Sequence, residues 1–155
     1  MSLEQELQAE KVGHLDLSGF CQIASGTSVR ETLDRMRQRG HNVALVVDGH
    51  KLIGVFTDRD VLRKVATEPE TWDRPIDEVM TPDPITVLPD SSAADALWLM
   101  GDKHFRNLPV VGQDGTIMGN MTYRAIVGYL AARYPVEVLN RPLRPDQFPR
   151  KAEGG

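Results

Sequence analysis

A single cysteine, Cys21, stands in 155 residues. No disulfide framework or thiolate metal cluster can be built from it, and a reducing compartment fits. No apolar run approaches the ~18 residues of a membrane-spanning helix, and no signal-peptide core precedes the rest. The expectation is therefore a cytoplasmic chain with no membrane partner. Positive charge is also short: the net charge of −4 excludes a nucleic-acid binder that works by broad electrostatics. His14, His41, His50 and His104 are too scattered for a metal site. No nucleophile–base pair stands beside Asp58, Asp60 and Glu31, so no enzymatic chemistry is expected. What charge there is divides unevenly, with Glu4, Glu6, Glu10 and Asp16 at the start and Arg133, Arg141, Arg144, Arg150 and Lys151 at the end. These are two solvated tails, or segments that pair with each other or with a partner.

What the chain does have is an internal repeat. Ser28 and Ser92, Leu33 and Leu97, Met36 and Met100, and Val46 and Val110 are each 64 positions apart. Past the turn the spacing becomes 65, matching Gly54 to Gly119 and Thr57 to Thr122. A fixed period of this kind governs the fold. Each copy reads strand, helix, strand, strand, helix. In the first, Ser28 followed by Glu31 is a capping-box pattern, Val29, Leu33 and Met36 share a helical face, and Gly40 supplies a left-handed stop. VALVVD, a turn at Asp48-Gly49 and KLIGVF form a hairpin, and Thr57 opens a second helix. The second copy repeats this order from ITVL to the helix after Thr122.

The predicted organisation is an amphipathic N-terminal segment at 1–18, a first repeat at 19–67 and a proline- and acid-rich linker at 68–82. A second repeat at 83–131 and a proline-rich tail at 132–155 follow, the tail docking if at all through Val136, Val138 and Leu139. One copy is too small to bury both its faces. The fold class expected is α+β, two β-α-β-β-α repeats related by a pseudo-two-fold axis and packed sheet to sheet.

IGVFTDRDVLRKV, preceded by ALVVD and followed by VMTPDPITV and FRNLPVV, resembles a tandem pair of CBS domains, a Bateman module, over roughly residues 19–130. The resemblance implies a stand-alone regulatory module without catalytic activity. It would sense AMP, ADP, ATP or S-adenosylmethionine in clefts between the copies, and would need no cofactor. The family's ribose motif, Gly-x-x-Thr/Ser-x-x-Asp, is met in full by Gly54, Thr57 and Asp60. In the second copy Gly119 and Thr122 are followed by Ala125 where the aspartate should be. A carboxylate there can accept from both ribose hydroxyls, and such charge-assisted bonds are the stronger kind. Gly54 would admit a base or sugar, and helix-start N–H groups would favour phosphate.

The resemblance thus implies one competent cleft lined by Val55, Thr57, Asp60, Pro84, Ile85, Phe105, Arg106 and Asn107. Arg106 is the leading phosphate contact, with Lys103, His104 and Arg59 behind it. A second, weaker cleft would use Cys21, His41, Met121 and Thr122. Thr57 and Asp60 also fit a helix capping box, a purely structural role compatible with ribose contact. A homodimer joined through Trp98, Leu99, Ile126, Tyr129 and Leu130 is expected, with a regulated enzyme or transporter as further partner. The alternative is a ligand-free scaffold for dimerisation or docking.

Overall fold

The computed structural model describes residues 2–133. Two serines start the central helices. Ser28 Oγ accepts from the Glu31 N–H at 3.1 Å and opens α2 (Val29–Arg39). Ser92 Oγ accepts from Asp95 at 3.0 Å and opens α4 (Ala93–Lys103). The Glu31 carboxylate turns to Arg35 at 2.8 Å, so only half of the expected capping box forms. Gly40 ends α2 with φ 69°, and His104 ends α4 in the same left-handed region at φ 57°, a conformation that costs a residue with a Cβ more than it costs glycine.

The first sheet runs in the order β1 (Cys21–Ala24), β2 (Val43–Asp48), β3 (Lys51–Thr57) and β4 (Thr81–Pro82). β1 lies parallel to β2, and the others pair antiparallel. Asp48 pairs with Lys51, so the hairpin turn is Gly49-His50, one residue later than the sequence suggests; Gly49 carries its positive φ of 63°. In the second copy β5 (Asn107–Val111) and β6 (Ile117–Thr122) form the same hairpin. The strand expected at ITVL shrinks to one parallel bridge between Val87 and Val110. The helices after the two threonines differ. α3 (Asp58–Asp60) gives way to a widened π-type turn over Val61–Val65, whereas α5 (Tyr123–Arg133) is regular.

The 64-residue spacing reaches further back than Ser28. Val12 N–H donates to Ser91 O at 2.9 Å, and Ile76 N–H donates to Thr27 O at 2.7 Å. Ala93 N–H donates to Glu10 O, and Val29 N–H to Arg74 O. Each pair is the other shifted by 64. The residues leading into each copy therefore pack on the other copy. Leu7 of α1 (Leu3–Ala9), Val12 and Leu15 join the core of Met100, Leu108 and Met121. Ile76 and Val79 join that of Met36, Val46 and Phe56. Thus 68–82, read as a linker, carries buried Thr71, Ile76 and Val79 and is part of the first core. Met36 and Met100 are core residues, as is Ile126 at 5% exposure, which removes Ile126 from the expected dimer surface.

The described part of the two charged ends does meet: Arg133 reaches Glu6 at 3.2 Å. Residues 134–155, including Val136, Val138 and Leu139, lie outside the described residues. Among the described residues no helix is long and apolar enough to cross a membrane.

Candidate functional site

Alternation along β2 and β3 places Val43, Leu45, Val55 and Thr57 on one face, with Leu45 opposite Val55 and Val43 opposite Thr57. Val43, Leu45 and Val55 form a third small core with Phe20, Leu52 and Ile117, the last from β6. This is the seam between the sheets. Shifted by the repeat, the same positions of the second copy are Asn107, Pro109, Asn120 and Thr122, so the seam is apolar on one side and partly polar on the other.

At one end of the seam lies a cavity of about 530 Å³, within the range of small-ligand sites. Val55, Thr57 and Asp60 line it from the first copy. Pro84, Ile85, Phe105, Arg106 and Asn107 line it from the second. The structure thus brings all eight residues of the expected competent cleft around one space. Asp58, Arg63, Thr81 and Asp83 also line it and were not anticipated. Arg63 was legible in principle, because it follows Arg59 by one helical turn.

Asp60 is 9% exposed. Its Oδ2 accepts from the Thr57 N–H at 3.0 Å and from Thr57 Oγ1 at 3.3 Å, while Thr57 Oγ1 accepts from the Asp60 N–H at 3.4 Å. The cap is therefore real. Among the described residues, Oδ1 meets only Lys64, at 3.6 Å. A carboxylate offers about four acceptor positions, so this oxygen keeps capacity for hydroxyl donors. Because α3 is a single turn, helix-start N–H groups add little for phosphate. The positive charge comes instead from side chains. Arg59, Arg63, Lys103 and Arg106 all line the cavity, and none forms an ion pair among the described residues.

Gly54 serves a different end from the one expected. A Cβ there would run into the Met80 side chain, and one at Gly119 would run into Leu17. Each glycine makes room for the exchanged segment beside it, not for a ligand.

The residues assigned to the second cleft do not gather in the same way. Met121 is fully buried and belongs to the core under α4, because it lies on the opposite face of β6 from Thr122. Applying to Val55 the spacing that matches Thr57 to Thr122 leads to Asn120, which sequence reasoning missed. Cys21 is 2% exposed, its thiol donates to Val43 O at 3.6 Å, and burial pushes its ionisation up. His41 is half-buried, with its backbone N–H bonded to Met36 O at 2.9 Å. Thr122 Oγ1 accepts from the Ala125 N–H at 3.1 Å. The cap survives there without the carboxylate. No group of three or more His, Cys, Asp or Glu is placed to hold a metal among the described residues.

Two interlocked copies of one small unit, with a cleft at their seam, define a tandem-repeat module. The chain belongs to the CBS domain family, whose profile matches residues 22–67 and 76–132. It is 36% identical over 114 residues to the CBS domain-containing protein CBSCBSPB5 of Arabidopsis thaliana, covering 72% of this chain and 21% of that protein. The chain spans about one fifth of the length of this and similar curated relatives. Among solved structures, CBSX2 in complex with AMP superposes with a TM-score of 0.70 at 26% identity, over 80% of this chain and 98% of that one. The cytosolic domain of the Mg2+ channel MgtE in complex with ATP shares the fold, with a TM-score of 0.66 at 23% identity over 81% of this chain and 51% of that one.

Proposed function

We propose that the chain is a regulatory module that binds an adenine nucleotide in the cavity between Asp60 and Arg106. The observation that carries this reading is the union, around one cavity, of a partly free buried carboxylate and four cations that form no ion pair among the described residues. The carboxylate suits the two hydroxyls of a ribose. The cations suit phosphate, so AMP, ADP or ATP fits better than S-adenosylmethionine, whose sulfonium adds positive charge. The apolar walls at Val55, Ile85 and Phe105 suit the faces of a base. The AMP in the CBSX2 complex supports the same class of ligand. The role is one of binding without catalysis, with one nucleotide per chain, since Ala125 leaves the other end of the seam without its carboxylate.

Trp98, 71% exposed on α4, and Val127, 64% exposed on α5, are the apolar side chains through which a homodimer or a regulated enzyme or transporter would be met, in the cytoplasm. A nucleotide alters such a contact only if it prefers one arrangement of the assembly.

The test is calorimetric titration of AMP, ADP, ATP and S-adenosylmethionine into the wild type, Asp60→Ala and Arg106→Ala. Saturable binding of a nucleotide near one per chain is expected. It should be lost in Asp60→Ala and weakened at least tenfold in Arg106→Ala, on the scale of a charge-assisted bond. No heat from any ligand, with a folded protein, removes this reading and leaves a docking scaffold.

A further inference from the structure

Asn120 is fully buried in the seam, where the first copy has Val55. Its Nδ2 donates to Asn107 Oδ1 at 3.0 Å and to the Gly19 carbonyl at 3.4 Å. Its own Oδ1 is buried with no hydrogen-bond partner among the described residues. The orientation of a side-chain amide follows from its network, and here the network decides it. The Gly19 carbonyl can only accept. Turning Asn120 over would set oxygen against oxygen and bury its NH2 group unpaired. Nδ2 must therefore face Gly19 and Asn107, and Asn107 must answer with Oδ1. An amide holds its donor and acceptor on opposite sides of one carbon, so the Asn107 NH2 group is directed away from Asn120. Asn107 lines the cavity.

We propose that Asn120 is a positioning residue for this cavity. It fixes the Asn107 amide so that its two N–H groups, and not its oxygen, are presented to an acceptor atom of the bound nucleotide. The proposal rests on the reading that the cavity takes a nucleotide. A buried oxygen without a partner costs stability, which a valine like Val55 would avoid. The arrangement also gives Ala125 a companion. The residue that would line the second cleft is committed to holding a side chain of the first, so the two ends of the seam are specialised together.

The test is ATP titration into the wild type, Asn107→Ala, Asn120→Val and the double variant, each checked for folding by its melting curve. Asn107→Ala and Asn120→Val should each weaken binding by about tenfold, the scale of one bond to a charged or polar ligand atom. The double variant should be no weaker than Asn107→Ala, since a residue acting through another is not additive with it. Unchanged affinity in Asn120→Val, or losses that multiply in the double variant, overturns the proposal. A reading that needs no variant is the ¹⁵N side-chain amide spectrum of the wild type. The Asn107 signals should shift on saturation with ATP while those of Asn120 stay protected from exchange, and unmoved Asn107 signals overturn it. A wild type that binds no nucleotide removes the functional reading and this proposal together. Binding with Asn120→Val unaffected removes the proposal alone.

Discussion

Asp60 uses one carboxylate for two purposes, one oxygen closing the cap on Thr57 and the other facing Lys64 and the cavity. Removal should therefore show in two measurements. Asp60→Ala should lower stability by about 1 kcal/mol, the worth of a cap, in a denaturant titration without ligand, in addition to its effect on binding. The second copy is the natural control: Thr122 caps Ala125 with no carboxylate at all, so the aspartate is not required for the helix to start. Gly54 is the opposite case, a motif residue with a packing role. Gly54→Ala forces its methyl into Met80, and overpacking of this kind costs about 1–3 kcal/mol. Shortening the obstacle in Gly54→Ala/Met80→Ala should recover part of that loss in a double-mutant cycle. Additive losses would place the strain in the β3 backbone.

The exchanged segments tie each copy to the other. Ile76 and Val12 are 64 residues apart and both fully buried, one in each core. Ile76→Ala should cost about 2–5 kcal/mol, more than any substitution in an exposed connector would, and urea unfolding measures it directly. Asp77 ties the same segment to the β1–α2 loop. Hydrogen bonds from the Ser25 hydroxyl and the Gly26 N–H hold its carboxyl below the ordinary carboxylate value. A depressed folded-state value means stability present at neutral pH and lost as pH falls through that value. Asp77→Asn should flatten this part of the acid limb between neutral pH and acid unfolding, and an unchanged limb would assign the loss to other carboxylates. The repeat and its caps were legible because identical residues recur at fixed spacing. The eight cavity residues were legible only through the resemblance to a tandem CBS pair, since of them Thr57 alone has an identical counterpart, Thr122. The exchange was not, since Leu7 against Thr71 and Val12 against Ile76 preserve burial without preserving identity. Proline and acid in 68–82 read as solvated although every few residues one side chain turns inward. The strand at 85–88 failed for a related reason: among the described residues only Val87 bridges to a neighbouring strand there.

At the scale of the whole molecule, the exchange makes neither copy complete by itself. The first core needs Ile76 and Val79 from the approach to the second copy, and the second core needs Leu7, Val12 and Leu15 from the approach to the first. Opening one copy pulls a segment out of the other, so residues 2–133 should unfold in one cooperative transition. The cavity is lined from both copies, so under the proposed function a nucleotide bound there would stabilise the pair only while the seam is closed. At a hundredfold excess over its dissociation constant it should raise the unfolding free energy by about 2.7 kcal/mol. The whole transition should move to higher temperature as one step in scanning calorimetry. Two separated transitions, only one of them shifted by ligand, would mean that the copies fold as independent units. The interlocking would then be a matter of geometry without energetic consequence.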